Sequence, residues 1–345
     1  MSKNTCIKIK SAGLAQLVHD APIPKLRDDY ILVKTAAVAL NPTDWKHIDE
    51  MATPGATVGC DYSGTVQEVG PAVSNGLQPG DRVAGLVHGS NASNLEDGAF
   101  GDYILAKGDI QMKIPEGVSF EEAAAIGVGA ITAGQHLYQN LRLPLPTQPS
   151  QEAVFVLIYG GSTATGTIAI QLAKLSGLTV VTTCSPRNFD LVCGLGADHV
   201  FGYNSPDAVS LIKEVTGHAL YYALDTVASE ETARFCCDVL GKEGGRYSSV
   251  LPIPKLPRED TVNVASMAFT AIGEAFEIAG QKVPARPDDF VFAADFMKLV
   301  EELWSTKKLR VHPFEVRPGG FDGIFEGLQE MREGKISGLK LVYSV

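Results

Sequence analysis

Ala153-Val154-Phe155-Val156-Leu157-Ile158-Tyr159-Gly160-Gly161-Ser162-Thr163-Ala164-Thr165-Gly166-Thr167-Ile168-Ala169-Ile170-Gln171-Leu172-Ala173-Lys174 is the stretch that decides how the chain reads. Its opening run is apolar and rich in β-branched residues, the pattern of a strand buried on both faces. Two glycines stop it, and Ile168, Leu172 and Leu175 then recur at helical spacing. Strand, glycine turn and helix form a setting in which a helix N-terminus offers unpaired N–H groups to a phosphate. Gly160 and Gly161 permit close backbone approach, and Ser162, Thr163 and Thr165 add hydroxyls. The spacing falls short of a full G-x-G-x-x-G. Two other readings compete. One is a strand–helix turn with no ligand. The other is a nucleophile elbow, since Gly160-Gly161-Ser162-Thr163-Ala164 misses only the last glycine of G-x-S-x-G. No HGGG-type segment lies upstream to complete the elbow.

The next strand, Thr179-Val180-Val181-Thr182-Thr183, separates these readings, because Cys184-Ser185-Pro186-Arg187-Asn188 follows it. At this place an NAD enzyme sets an Asp or Glu against the ribose 2′-hydroxyl. There is no acid here. Ser185 and Arg187 bring a hydroxyl and a guanidinium fork, which suit a 2′-phosphate. The expected cofactor is NADP(H).

Working outward, 345 residues with 45% hydrophobic content predict one or two globular domains with a sizeable core. A formal charge of −11 argues against nucleic-acid and anionic-membrane partners. No apolar leader precedes Gly13, and the most apolar stretch, residues 123–134, is too short to span a bilayer, so a cytoplasmic protein is expected. Six cysteines show no C-x-x-C and seven histidines no H-E-x-x-H, as for reduced, packed thiols.

Before the glycine turn the chain reads as β-rich, with candidate strands at 6–10, 30–37, 64–69, 81–87, 100–106 and 111–114. Patchy alternation there fits a small irregular barrel. A helix is expected to start at residues 121–125 and to continue over 130–141, before a proline-rich link at 143–150. Strands at 153–158, 179–183, 198–201, 220–224 and 245–250 then alternate with helices, the signature of a doubly wound parallel sheet. A helix at 290–304, a strand at 311–316, a helix at 321–332 and a strand at 339–343 complete the expectation.

A β-rich domain, a dinucleotide unit and a return to mixed strands resemble the medium-chain dehydrogenase/reductase superfamily. Gly80-Asp81-Arg82-Val83, Gly59-Cys60-Asp61-Tyr62-Ser63-Gly64 and Asn41-Pro42-Thr43-Asp44 are its landmarks. The resemblance implies an α/β chain with a GroES-like β-barrel catalytic domain, discontinuous over 1–130 and 305–345, and a Rossmann domain with a doubly wound parallel sheet over 131–304. Zinc-dependent members carry a Cys before the Thr-Asp turn, a G-H-E segment and a four-cysteine lobe. Here Asn41-Pro42 and Gly59-Cys60-Asp61 stand in those places, and residues 88–97 hold no cysteine. One thiolate does not make a tetrahedral site, so no metal is expected.

Tyr159–Thr165, Cys184–Leu191 and Ile336-Ser337-Gly338-Leu339-Lys340-Leu341-Val342 narrow the resemblance to the trans-acting enoyl reductases of fungal polyketide pathways, the lovastatin-pathway type among them. These act on a megasynthase whose own reductase domain is inactive. By that resemblance, cofactor contacts fall on Thr43, Asp44, Trp45, Lys46, Gly160, Gly161, Ser162, Thr163, Ala164, Thr165, Ser185, Pro186, Arg187, Asn188, Tyr203, Val250, Leu251, Ile336 and Ser337. Substrate contacts fall on Thr132, Ala133, Gly134, Gln135, His136, Leu137, Tyr138, Gln139, Thr270, Ala271, Ile272, Gly273 and Glu274. The expected reaction is NADPH-dependent 1,4-reduction of an α,β-unsaturated thioester, with backbone N–H groups, Lys46 or Thr132 as donors to the oxygen on which charge develops. The alternatives are a zinc-independent quinone or enone reductase acting on a free small molecule and a non-catalytic nucleotide-binding member. Simpler readings stand beside these. Lys46 could be a solvated lysine, Thr132 a helix N-cap, His136 and Tyr138 packing residues, Tyr203 plain packing, and residues 270–274 a turn.

Two expectations concern partners. The fifth sheet strand runs into Leu251-Pro252-Ile253-Pro254-Lys255-Leu256-Pro257, and prolines blunt a sheet edge, so a monomer is expected; Val262–Val264, without proline, is the alternative edge. The resemblance implies a polyketide synthase carrier domain as partner. Such domains are acidic, so a basic patch is expected to receive one, with Lys307, Lys308, Arg310, Arg332, Lys335 and Lys340 as candidates.

Overall fold

The computed structural model describes residues 3–345. They divide into two compact units: one comprises the residues up to Ile131 together with Phe269–Val345, the other Thr132–Ala268.

The first unit opens with a hairpin of β1 (Lys3–Ser11) and β2 (Leu14–Pro22). Then come β3 (Tyr30–Ala39), helix α1 (Pro42–Asp49), β4 (Asp61–Val69), β5 (Arg82–Leu86), β6 (Tyr103–Lys107) and β7 (Met112–Lys113). Short α2 (Phe120–Ala123) and α3 (Gly127–Gly134) follow. β3 is the spine of this unit's main sheet, pairing antiparallel with both β4 and β6. Its residues Ile31, Val33 and Val38 enter a core with Tyr62, Val66, Val83, Phe100 and Ile104. Tight backbone packing at Gly64, where a Cβ would lie 2.3 Å from the Lys34 carbonyl, shows why the strand needs a glycine there.

The second unit alternates β8 (Phe155–Tyr159), α4 (Ala164–Leu175), β9 (Thr179–Cys184), α5 (Phe189–Gly194), β10 (His199–Gly202), α6 (Ala208–Val215), β11 (Tyr222–Asp225), α7 (Glu230–Val239), β12 (Gly245–Ser249) and β13 (Thr261–Ala265). All pairings are parallel, in the order β10-β9-β8-β11-β12-β13. This is the doubly wound arrangement, whose order reverses between β8 and β11 and leaves a crevice at their carboxyl ends. The sheet ends on β13, not on Gly245–Ser249. The proline run therefore connects two paired strands and blunts no edge, because a sixth strand continues the sheet beyond it. The outer strand carries no proline and exposes Val262.

The helix expected over 130–141 divides. α3 ends at Gly134, and Gln135–Asn140 coil more widely as a π-helix, a form that often marks functional segments.

The chain then returns to the first unit with a hairpin of β14 (Phe276–Ile278) and β15 (Gln281–Val283), α8 (Pro287–Ser305), β16 (Phe314–Arg317), α9 (Gly320–Arg332) and β17 (Lys340–Ser344). α8 starts at a proline with Asp288 and Asp289 in its first turn, both favourable at a helix N-terminus. It buries Ala293, Phe296, Met297, Val300 and Trp304 at helical spacing. Residues 269–304, placed in the nucleotide domain by sequence, group with the first unit. The reason is bonding: Lys113 N–H donates to Glu301 at 2.7 Å, and Tyr30 and Lys107 donate to Glu274 at 2.8 and 2.9 Å. β17 closes the main sheet by pairing with β3 and, in parallel, with β16.

Candidate active site

The glycine turn is held by close backbone packing. Gly160 has φ +80°, a conformation that favours glycine. Gly160 and Gly161 both donate their N–H to the Thr183 carbonyl, at 3.1 and 2.9 Å. A Cβ on Gly161 would meet Thr182 Oγ1 at 2.0 Å, and one on Gly166 would meet the Gly160 carbonyl at 2.3 Å. Thr163 caps α4, accepting the Gly166 N–H at 2.9 Å. The N–H groups of Ser162, Ala164 and Thr165 have no partner among the described residues. Three free donors at the positive end of a 12-residue helix make an anion site.

Beside it, Asn188 donates to Ser162 Oγ at 3.1 Å, tying the end of β9 to the turn. Arg187 is exposed and its guanidinium makes no bond to a described residue. Ser185 is half-buried next to it, and Tyr203, just beyond β10, is 42% exposed. Thr226, at the end of β11, donates to the Tyr159 carbonyl at 2.8 Å and accepts from Thr163 Oγ1 at 2.9 Å, closing the turn from the other side of the switch point.

In the first unit, α1 begins at Asn41 with Pro42 in its first turn. Asp44 accepts the Asn41 N–H at 2.7 Å, the reciprocal half of a capping box. The helix carries Lys46, whose ammonium makes no ion pair among the described residues and lies 5.8 Å from the Trp45 ring centroid. His47 turns inward to the Thr43 carbonyl at 2.8 Å. Beneath the helix start, buried Asp61 accepts from Lys340 Nζ, from Asn41 Nδ2 at 2.9 Å and from the Val128 N–H at 2.7 Å. Burial pushes the Asp44 carboxyl up to about 7, with the like charge of Asp61 adding to it against the Asn41 N–H and Lys340. Burial also holds the Cys60 thiol well above its ordinary value, with Asp44 a further cause.

Two protein families match: the alcohol dehydrogenase GroES-like domain over residues 27–116 and the zinc-binding dehydrogenase domain over residues 164–269. A trans-enoyl reductase of Alternaria alternata is 46% identical over the whole of both chains. One from Cochliobolus carbonum is 53% identical over 80% of this chain and 93% of its own. Among solved structures, a quinone oxidoreductase from Coxiella burnetii superposes with TM-score 0.76 at 25% identity, covering 100% of both chains. An alcohol dehydrogenase superfamily protein from Novosphingobium aromaticivorans reaches 0.82 at 19% identity, covering 99% of this chain and all of its own. The chain belongs to the medium-chain dehydrogenase/reductase superfamily.

The Rossmann unit of a medium-chain reductase takes a nicotinamide cofactor, and the residues fit one. The unpaired N–H groups of the turn suit its pyrophosphate, and the three glycines let the turn pack closely against Thr182, Thr226 and its own backbone. Among the described residues no three His, Cys, Asp or Glu side chains gather as ligands. Asn41, which stands where zinc-dependent members carry a cysteine, bonds Asp61 and Lys340, so a lysine ammonium occupies this niche.

The expected site residues divide by what the fold does with them. Ser162, Thr163, Ala164, Thr165, Ser185, Pro186, Arg187 and Asn188 gather at the carboxyl ends of β8 and β9. Val250 and Leu251 follow β12, and Leu251 is exposed. Ile336 and Ser337 lie in the first unit before β17, half-buried. Thr43, Trp45 and Lys46 keep partial exposure on α1, but Asp44 is buried and its carboxylate caps the helix, which corrects its expected cofactor contact.

Thr132 is not an N-cap; it lies inside α3, and its hydroxyl has no partner among the described residues. Ala133, Gly134, Gln135 and Leu137 are buried and Gln139 is half-buried. His136 and Tyr138 are expected to line the substrate, yet the Tyr138 hydroxyl and the His136 Nδ1 bond inside their own unit, and His136 Nε2 is buried without a hydrogen-bond partner among the described residues. His136 Nδ1 lies 2.7 Å from Ser248 Oγ, and the Tyr138 hydroxyl 3.0 Å from Ser176 Oγ. The wider π-helical coil turns these side chains toward the sheet and α4. Thr270, Ala271 and Ile272 form a buried short helix, Gly273 follows at φ +79°, and Glu274 is bonded to Tyr30 and Lys107. Glu274 is therefore a tie of the segment to the barrel strands.

Sequence reasoning missed the Asn41–Asp61–Lys340 cluster, and Lys340 was assigned to a surface patch. One signal was available: Leu339-Lys340-Leu341-Val342 sets a charge within an apolar strand, where lysine is rarely buried unpaired. The rest of the patch also changes. Arg332 forms a two-pronged pair with Asp49, at 2.7 and 2.9 Å, and Lys335 pairs with Glu333. Lys307, Lys308 and Arg310 remain exposed.

Proposed function

We propose that the chain is a trans-acting enoyl reductase that uses NADPH to reduce the C=C bond of an α,β-unsaturated acyl thioester held on a polyketide synthase carrier domain. The observation that carries this reading is the full-length relationship, at 46% identity, to a protein named as a trans-enoyl reductase. The geometry supports it. The Ser162, Ala164 and Thr165 N–H groups and the positive end of α4 hold the pyrophosphate. Arg187 and Ser185 take the 2′-phosphate, the feature that selects NADPH. The bound nicotinamide supplies a hydride for the β-carbon of the substrate. As the enolate forms, negative charge grows on the thioester oxygen and calls for donors that are not already occupied. Lys46 and Thr132 each have such a donor within their own unit. Solvent supplies the proton to the α-carbon.

A carrier-borne substrate demands docking by a chain of charge −11. Lys307, Lys308 and Arg310, beyond the end of α8, form the basic surface for it. The proline run lies inside the sheet and does not argue for a monomer, because the proline-free β13 edge with exposed Val262 offers a surface for a second copy; the proposed location is the cytoplasm. No helix among the described residues is long and apolar enough to cross a membrane.

The test is turnover. NADPH oxidation is measured with an unsaturated acyl group on a small thiol, the same group on its carrier protein, and a simple quinone. The expected order is carrier thioester, then free thioester, with the quinone last, and chelators leave all three rates unchanged. A quinone rate above both thioesters would instead make the chain a quinone reductase, the activity named for the Coxiella structure.

A further inference from the structure

We propose that the buried Asp61–Lys340 pair, acting through Asn41, is a positioning device for Lys46. The inference rests on the donor role given to Lys46 above and adds residues with no assigned part in it.

Asp61 opens β4, Lys340 opens β17 and Asn41 is the residue from which α1 starts. Three distant stretches of chain thus meet at one point, and Asp61 and Lys340 are 0% and 3% exposed. The Asn41 amide is held at both ends: its oxygen accepts from Lys340 Nζ at 2.9 Å and its nitrogen donates to Asp61 Oδ2 at 2.9 Å. Lys340 only donates and the Asp61 carboxylate only accepts, so the amide between them has one orientation. The Asn41 backbone is fixed as well, with its N–H on Asp44 and its carbonyl accepting the Asp44 N–H at 3.0 Å. Lys46 lies five residues on in an eight-residue helix, so the placement of Asn41 sets the placement of Lys46. The other Asp61 oxygen, on the Val128 N–H, anchors the cluster to the first turn of α3.

Stability alone does not account for such a pair. Burying two charges is expensive, and apolar residues of similar volume often replace a buried pair without loss. What apolar residues cannot do is orient an amide. A lysine whose charge must meet a developing oxyanion loses much of its effect when displaced by about 1 Å.

The experiment compares the Asp61→Leu/Lys340→Met double variant, Lys46→Met and the triple variant, each checked for thermal midpoint, NADPH dissociation constant, kcat and KM. The double variant is expected to keep its thermal midpoint and bind NADPH within threefold of the parent, while kcat falls at least tenfold. In the Lys46→Met background the same pair of substitutions should change kcat by less than twofold, since the residue being positioned is gone. Retained kcat in the folded double variant, or an undiminished further loss in the triple, overturns the proposal. An unchanged kcat in Lys46→Met itself overturns both the proposal and the Lys46 assignment, and is read independently of the pair. Should the double variant fail to fold, Asn41→Ala cuts the same link without removing a charge. It carries the same two expectations, and either one failing overturns the proposal.

Discussion

The glycine turn of the second unit and the start of α1 in the first do comparable work by opposite means. Residues 160–166 are one continuous stretch, shaped by local backbone geometry and by space that only glycine leaves, with Thr183 and Thr226 as partners from the neighbouring strands. α1 takes its place from residues 41, 61 and 340, whose partners are up to 299 positions apart. A local device is specified by types and spacing. A non-local one is specified by which strands the sheet brings together, so a single charge in an apolar strand is its only trace.

The sharpest way to break the local device is Gly166→Val. Any Cβ there sits 2.3 Å from the Gly160 carbonyl and 2.9 Å from the Gly161 backbone. Neither is a flexible side-chain end, so the turn has to open. NADPH affinity is expected to fall more than about 100-fold, with a stability loss of about 1–3 kcal/mol from overpacking. The control is Gly194→Ala, at an exposed helical glycine whose Cβ would meet nothing within 4 Å. It should bind like the parent. Calorimetric titration of both variants decides whether NADPH affinity depends on this packing; equal affinities would remove the argument from the glycines.

The same contrast explains what was legible in the sequence. β8, the turn, α4 and the polar end of β9 were readable because period, glycine position and hydroxyl content all lie within about 35 residues, the span of one βαβ unit. The outer strand β13 was weighed only as an alternative edge, because a proline-rich connection hides how the sheet continues. The hairpin at 276–283 and α8 were assigned to the wrong unit, since the bonds that hold them, Glu274 to Lys107 and Glu301 to Lys113, join residues more than 160 positions apart. The resemblance alone makes His136 and Tyr138 pocket residues, with packing against the sheet as the alternative; they lie in a π-helical coil, which periodicity does not announce, and bond within their own unit.

Cofactor choice tests a part of the local device that stands clear of packing. Arg187 is exposed and unpaired, so its removal changes a bond to the ligand and little else. Losing one charge-assisted interaction is worth about 1.5–3 kcal/mol, which is roughly 10- to 150-fold. Arg187→Ala should therefore weaken NADPH by that factor while leaving NADH unchanged. Michaelis constants for the two cofactors, measured side by side, check it. An equal loss for both would mean that the arginine supports the fold of the turn, and unchanged values would return the cofactor question to its start.

pH separates the two units by a smaller and more graded effect. In the first unit, burial lowers His47 from its ordinary value and brings both His88 and His312 down to about 3, with neighbouring positive charge a second cause for the last two. The second unit has one such group, His136, lowered by burial to about 4. In each case the unfolded chain takes up a proton before the folded one, so stability falls as pH drops from about 6.5 through the range toward 3. Asp44 works in the other direction. Its folded value of about 7 lies above the ordinary 3.8, so its contribution is present at low pH and is lost as pH rises from about 4 to 7. Three lowered histidines thus stand against two raised aspartates, Asp44 and Asp97, the latter brought up to about 6 by burial, so the first unit carries opposed contributions over the same pH range. Between pH 7 and pH 5 the two aspartates offset most of what the histidines lose, so amide hydrogen exchange should show protection falling less in the core of the first unit than around β8–β12. Replacing His88 by Asn, which does not titrate, should flatten the acid limb of the first unit and leave the second untouched. A uniform fall across both units would show that the chain opens as one cooperative whole, and the contrast between local and long-range construction would then apply to the site alone and not to stability.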